Sequence, residues 1–155
     1  MLFRSLMSVS SIAMSVLLKE VFKNPGGHAY ESWIGFLLEV PSGRPIGVRA
    51  LFAEPAKALR AISSSVRSSV LATYDGCRDV ILSDEVFQEG FAPTVENYSD
   101  FALTEGGLVF GLSQGQVGDE ACSRMQATVP WNLARPLLND LGRRLVAAIR
   151  QPTIR

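Results

Sequence analysis

The feature that most constrains the fold is a glycine-containing break, Glu105-Gly106-Gly107, between two runs of alternating apolar residues. The large apolar residues of the two runs are Phe101, Leu103, Leu108, Phe110 and Leu112. A period of two is typical of a β-strand with one buried face, and glycines can supply the positive φ angles that a tight reversal needs. The pattern therefore predicts an antiparallel hairpin over residues 101–112 with one apolar face.

The segment after this hairpin combines a loop with a further strand. Residues 113–123 contain Gly115, Gly118 and a polar run, which is typical of an irregular loop. Apolar and polar residues then alternate over 125–129, which predicts a strand with one buried face. Pro130 is expected to open a helix, because proline is favoured in a first helical turn.

Two segments have the periodicity of amphipathic helices. The first covers residues 55–74, with a buried face of Leu59, Ile62, Val66 and Val70. The second is predicted as one helix over 131–150, with a buried face of Leu133, Leu137, Leu138, Leu141, Leu145 and Ile149. Strands precede, separate and follow these helices without regular alternation, which favours the α+β class, an antiparallel sheet packed with two main helices.

The N-terminal segment has two interpretations. Apolar side chains recur at every second position, at Ile12, Met14, Val16 and Leu18, with Phe22 in the same phase, which predicts a long strand whose serines form a solvated face. Residues 1–18 also have the outline of a secretory signal. The strand is favoured because serines interrupt the apolar run and no small-residue cleavage site precedes Lys19. A membrane-spanning helix is not expected, because the tract is short and rich in polar residues.

Size and charge limit the class of protein. The 155 residues are sufficient for one domain, 1–155, with a frayed tail over 151–155. The net charge is zero, so a general attraction to nucleic acid or anionic lipid is not expected. Ten acids and a single base, Arg78, lie between Asp75 and Glu120, which indicates either solvated faces or an acidic surface for a basic partner.

Few residues suit catalysis. Cys77 and Cys122 are the only cysteines and lack metal-binding spacing; they either pair in an oxidising compartment or remain two buried thiols. His28 is the only histidine, lies in a turn, and is accompanied by no Gly-x-Ser-x-Gly nucleophile motif. His28 is therefore predicted not to be catalytic, and no cofactor or metal is expected. A small hydrolase using His28 with a nearby carboxylate is the enzymatic alternative.

The order of these motifs resembles one family of domains of unknown function. The motifs are Gly26-Gly27-His28, Pro41-Ser42-Gly43-Arg44-Pro45-Ile46, Leu51-Phe52, Asn97-Tyr98-Ser99-Asp100-Phe101-Ala102-Leu103-Thr104 and Val129-Pro130. They are similar to the C-terminal domain of the lysozyme-sensing anti-sigma factor RsiV, which is shared by some peptidoglycan deacetylases and by the secreted mycobacterial immunogenic protein MPT sixty-four. The resemblance covers about residues 10–148, and Gly115 makes the mycobacterial branch the closer one.

This chain departs from the family pattern at two positions. His28 directly follows the glycine pair, where the family has one more residue, and Ser123 replaces a glycine late in the loop. A strand-rich segment that usually precedes the matching part is missing, so a truncated structural fragment that needs a partner is a further alternative.

The resemblance implies a non-enzymatic binding or sensing module, secreted or in the cell envelope, although the chain has no clear signal peptide. Its partner would be a protein or a cell-wall glycan. Loops on a rigid scaffold commonly carry recognition, so the binding residues are predicted to be Gly115, Asp119 and Glu120 of the loop, together with His28.

Overall fold

The computed structural model describes residues 4–23, 25–27, 29–122 and 125–149, with the side chains of residues 4–7 outside that description. It contains two three-stranded antiparallel sheets, which confirms the α+β class. The first sheet consists of β1 (Arg4–Val9), β2 (Ala13–Lys23) and β3 (Ala29–Glu39), in that order. The second consists of β4 (Phe101–Leu103), β5 (Gly107–Leu112) and β6 (Met125–Pro130), also in chain order.

The predicted N-terminal strand is present as β2, but its predicted phase is wrong. The buried side chains are those of Ala13, Ser15 and Leu17. The apolar set that includes Met14 and Phe22 lies on the opposite face of the sheet. The serines are therefore not a solvated face, because Ser15 is fully buried against the second sheet.

The predicted hairpin over 101–112 is confirmed, with Phe101 opposite Phe110. Two details differ from the prediction. Neither Gly106 nor Gly107 has φ in the left-handed region; the turn is closed by Thr104, whose Oγ1 accepts a hydrogen bond from the Gly107 N–H at 3.2 Å. Both faces of the hairpin are buried, because one packs on the helices and the other packs on the first sheet.

The two sheets approach closely where glycine replaces a side chain. Leu17 and Trp33 of the first sheet form a small cluster with Ala102 and Val109 of the second. A Cβ atom at Gly111 would overlap the Trp33 side chain. The first sheet thus presents Ala13, Ser15, Leu17 and the Trp33 indole towards the second, and the absence of a side chain at Gly111 provides the space for the indole.

Each sheet has one edge strand that is closed by side chains from outside that sheet. At the edge of β4, the Leu103 N–H donates to Ser15 Oγ at 2.8 Å, and the Leu103 carbonyl accepts from Ser8 Oγ at 2.7 Å. Ser8 and Ser15 are directly opposite each other in the register of β1 and β2. This serine pair therefore acts as a clamp on the backbone of one edge residue.

The edge of β3 is closed in the same way by residues that flank the second sheet. The backbone N–H groups of Glu31, Trp33 and Gly35 donate to Gln114 Oε1, Ser113 Oγ and Asp100 Oδ1 at 3.1, 3.1 and 2.9 Å. These bonds satisfy N–H groups that an edge strand otherwise leaves unpaired. Together with the serine clamp, they fix the position of one sheet relative to the other.

The helices cover the other face of the second sheet. They are α1 (Pro55–Thr73), α2 (Arg78–Ser83), α3 (Glu85–Glu89), α4 (Trp131–Ala134) and α5 (Asp140–Ile149). The first predicted helix is confirmed as α1, with Leu59, Ile62, Val66 and Val70 buried as expected.

The single helix predicted over 131–150 is wrong, because the segment is broken into α4, a 3-10 turn and α5. The side chain of Asn139 explains why a new helix, α5, begins at the next residue. Its Nδ2 donates to the Ala50 and Phe52 carbonyls, and its Oδ1 accepts from the Gly142 N–H at 2.9 Å. Leu133, predicted to be buried, is exposed on α4.

Cys77 and Cys122 form a disulfide, which decides between the two predicted states of these residues. The bond joins the segment after α1 to the end of the loop between β5 and β6, across 45 positions of sequence. It therefore ties the helical layer to the second sheet.

Candidate binding surface

The first half of the predicted loop 113–123 is a structural connection. Besides the bonds of Ser113 and Gln114 to β3, Gln116 Nε2 donates to the Gly90 and Asn97 carbonyls at 3.1 and 3.0 Å. Val117, in the middle of the loop, is buried. These contacts hold the loop against the rest of the fold on both sides.

The predicted binding residues of the loop lie on its exposed parts. Gly115 has φ of 84° at an exposed turn, a conformation that favours glycine. Asp119 and Glu120 are exposed, and Asp119 Oδ1 accepts a hydrogen bond from the Cys122 N–H at 3.0 Å. The disulfide at Cys122 therefore holds this acidic end in place. His28 lies outside the described residues.

A larger surface is formed by the first sheet on the side away from the second sheet, which we call the outer face. Its described side chains are Val9, Met14, Val16, Leu18, Glu20, Phe22, Tyr30, Ser32, Ile34, Phe36 and Leu38. Phe22, Tyr30 and Phe36 are 50%, 49% and 44% exposed. The outer face is therefore a candidate for an interaction surface, since the largest exposed apolar patch of a protein is often functional.

Polar groups are few among the described side chains of the outer face. Glu20 lies directly opposite Ser32, between the Leu18–Ile34 and Phe22–Tyr30 pairs. The other described side chains of the face are apolar except for the hydroxyl of Tyr30, which donates to the Gln114 carbonyl at 3.4 Å. The apolar alternation of β2 is visible in the sequence and is the sign of this surface. The sequence analysis predicts that these side chains face the core, whereas the structure places them on the outer face.

A cleft of about 190 Å³ adjoins the outer face at the edge of β3. Its walls include Phe36 and Leu38 from the outer face, with Ile46, Val95 and Phe101 from neighbouring segments. Next to it, Asp100 is half-buried and accepts the Gly35 N–H. Burial raises the pKa of Asp100, and the bond from Gly35 opposes that rise.

Within the described part of the chain, no group of three or more His, Cys, Asp or Glu side chains is arranged to hold a metal ion. None of the described helices is long and apolar enough to cross a membrane.

No protein-family model and no curated protein matches this chain. The fold is nevertheless similar to two solved structures of the DUF3298 family, whose name denotes a domain of unknown function. The one from Bacteroides fragilis has a TM-score of 0.69 at 13% identity, over 96% of this chain and 56% of that structure. The one from Pseudomonas aeruginosa has a TM-score of 0.58 at 9% identity, over 89% of this chain and 63% of that structure. The chain thus spans less than two thirds of either structure, and the likeness establishes the fold.

Proposed function

We propose that this chain is a non-enzymatic binding module of an extracytoplasmic compartment, and that it binds a protein through the outer face of its first sheet. The observation that carries this proposal is the exposure of three aromatic side chains, Phe22, Tyr30 and Phe36, on one apolar sheet surface. Removing such a surface from water is favourable by about 25 cal/mol per Å², so it is a source of binding energy.

The chemistry of the outer face favours a protein over a glycan. A sugar exposes many hydroxyl groups, and each one that is buried without a hydrogen-bond partner costs free energy. The described side chains of the outer face offer partners only in the row of Glu20 and Ser32 and at the Tyr30 hydroxyl. An apolar protein surface has no such requirement.

Two observations support the compartment. Disulfides form and persist in secreted and periplasmic proteins, and Cys77 is bonded to Cys122. The motifs from Gly26 to Pro130 resemble the C-terminal domain of RsiV and the mycobacterial immunogenic protein, which act outside the cytoplasm. We take kinship with that group as part of the proposal.

The test is retention of envelope proteins and of insoluble peptidoglycan by the purified chain. We expect a protein to be retained, with little effect of salt, and peptidoglycan to remain at background. Phe36→Lys on the outer face should abolish retention. Val86→Lys, at an apolar residue that is 64% exposed on α3, is the matched control and should not. Specific retention of peptidoglycan, or equal retention by both variants, contradicts the proposal.

The acidic end of the loop is the second candidate surface. Asp119 and Glu120 are exposed beside the disulfide, and binding through them should weaken with salt, since exposed charges are screened within about 8 to 10 Å. A double variant, Asp119→Asn with Glu120→Gln, separates the two surfaces. Unchanged binding of a partner by this variant, with no salt dependence, removes the loop from consideration.

A hydrolase that uses His28 is the competing function. The purified chain and its His28→Ala variant should both be inactive on ester, peptide and glycan substrates, and the substitution should affect stability or partner binding instead. Hydrolysis by the wild type that is lost in this variant would establish the enzymatic alternative.

A further inference from the structure

We infer that the cleft at the edge of β3 is a binding site for one residue of an extended peptide, a residue with an apolar side chain such as leucine or phenylalanine. The inference deepens the proposed function, on which it rests, because Phe36 and Leu38 line both the outer face and the cleft. It follows from two unpaired backbone groups of β3 and from the size and lining of the cleft.

The hydrogen bonds of β3 show which of its backbone groups point out of the first sheet. The Gly35 N–H donates to Asp100 Oδ1. The Glu39 N–H donates to the Arg44 carbonyl. Since the backbone groups of a strand alternate in direction, the N–H and C=O groups of the odd-numbered residues of β3 point away from β2. Those of Leu37 therefore point towards the edge where the cleft lies.

Two neighbouring groups on this edge have no partner. The Leu37 N–H and the Gly35 carbonyl make no hydrogen bond with any residue that the structure describes. The groups on either side are bonded, the Gly35 N–H to Asp100 and the Leu37 carbonyl to the Ile46 N–H at 2.7 Å. Leu37 is 3% exposed, and peptide groups at buried positions are rarely left unpaired. The gap therefore indicates a partner, and its closed ends limit that partner to one residue.

The two unpaired groups match the backbone of a single extended residue. In a parallel ladder, one residue donates its N–H to the carbonyl of residue i−1 on the neighbouring strand and accepts from the N–H of residue i+1. With Phe36 as residue i, these are the Gly35 carbonyl and the Leu37 N–H. The side chain of the added residue then lies on the same side of the sheet as Phe36, which lines the cleft.

The cleft fits an apolar side chain in size and polarity. Its volume is about 190 Å³, and an apolar cavity of about 150 Å³ holds a benzene ring. A side chain that needs hydrogen-bond partners would lose its hydration against apolar walls, which is costly. The walls include Phe36, Leu38, Ile46, Val95 and Phe101.

Titration of the isotope-labelled full chain with N-acetyl-leucine N′-methylamide, followed by NMR, tests the site. We expect a dissociation constant in the millimolar range, which is usual for so small a ligand, and a downfield shift of the Leu37 amide proton. The N-methyl-leucine analogue lacks the N–H donor, and the alanine analogue leaves the cleft unfilled. Each analogue should bind roughly tenfold more weakly or worse. Equal binding of all three compounds, or no change at Leu37, overturns the inference.

Gly47→Phe should obstruct the site without disturbing the backbone. Gly47 is exposed, lines the cleft, has an ordinary φ of −75°, and has free space around its Cβ position. The variant should bind the leucine compound roughly tenfold more weakly or worse, because its ring occupies the mouth of the cleft. Gly76→Phe, at another exposed glycine with free space, is the matched control and should bind like the wild type.

Equal loss of binding in both variants overturns the inference. The retention experiment separates this result from the proposed function. If an envelope protein is retained through Phe36 but the leucine compound does not bind, the proposed function stands and only the peptide site in the cleft is rejected.

Discussion

At the scale of single residues, Asp100 links stability to pH. Burial raises its pKa above the ordinary value of an aspartate, so the folded chain binds this proton more tightly than the unfolded chain does. The free energy of unfolding therefore falls as pH rises through the interval between the ordinary and the raised pKa, and it stays lower above that interval.

Asp100→Asn should remove this dependence. The amide oxygen can still accept the Gly35 N–H, and no charge is buried. We expect the variant to be at least as stable as the wild type at neutral pH, measured by urea unfolding over a pH series from about 4 to 7. Asp100→Ala is the control, since it loses the bond and should be less stable by about 1 to 2 kcal/mol. A wild-type pH slope in Asp100→Asn would show that another group is responsible.

Phe110 is one of the large side chains that the second sheet buries completely. Its side chain is fully buried, and its ring meets Tyr98 edge-on with centroids 5.3 Å apart. Phe110→Ala should lower the free energy of unfolding by about 3 to 5 kcal/mol, because it removes buried area and leaves a cavity. Chemical denaturation measures this, and a loss below about 1 kcal/mol is incompatible with the buried position.

At the scale of elements, the serine clamp predicts that loss of the Ser15 hydroxyl lowers the free energy of unfolding by more than the change in buried area would. Ser15→Ala removes the acceptor for the buried Leu103 N–H at the edge of β4. An unsatisfied buried donor costs about 1 to 3 kcal/mol, and urea unfolding should show a loss of that size. Ser64→Ala, at an exposed position of α1, is the control and should have little effect. Equal stability of both variants would mean that water replaces the hydroxyl.

Most elements were predictable because their periodicity is local. The strand pairing confirms the hairpin over 101–112, and burial confirms the repeating patterns of the strand over 125–129 and of α1. The break at Asn139 was not predictable, because its cause is a pair of bonds to carbonyls about 90 positions away in sequence. Local pattern contains no information about such tertiary partners.

The outer face was missed for a related reason. Sequence reasoning assigns the larger apolar phase of a strand to the core, but β2 buries Ala13, Ser15 and Leu17 instead. The second sheet accommodates this set because Gly111 has no side chain where the Trp33 indole packs, which no local pattern in β2 indicates. The composition of residues 113–123 is sufficient to predict the candidate loop. The outer face can be recognised only from the strand register, which shows which side chains of β2 and β3 lie on the same side of the sheet.

At the scale of the whole molecule, the disulfide constrains the unfolded chain. It closes a loop over 45 positions of sequence, so its loss should cost about 3 to 4 kcal/mol in the chain-entropy account. The double variant Cys77→Ser with Cys122→Ser should show this in urea unfolding. Wild-type protein in the presence of a reductant is the control and should approach the same stability. A difference below about 1 kcal/mol would mean that the unfolded chain is already compact.

The closed edges have a consequence for how copies of this chain can accumulate. An edge strand with free N–H groups can recruit a further strand, and that strand can recruit another, which leads to fibrils. Here the N–H groups of Glu31, Trp33 and Gly35 on β3 and of Leu103 on β4 are already bonded to side chains. Growth by strand addition at these two edges is therefore blocked. The fold thus exposes the apolar outer face of the first sheet while both of these edges resist amyloid-like strand addition.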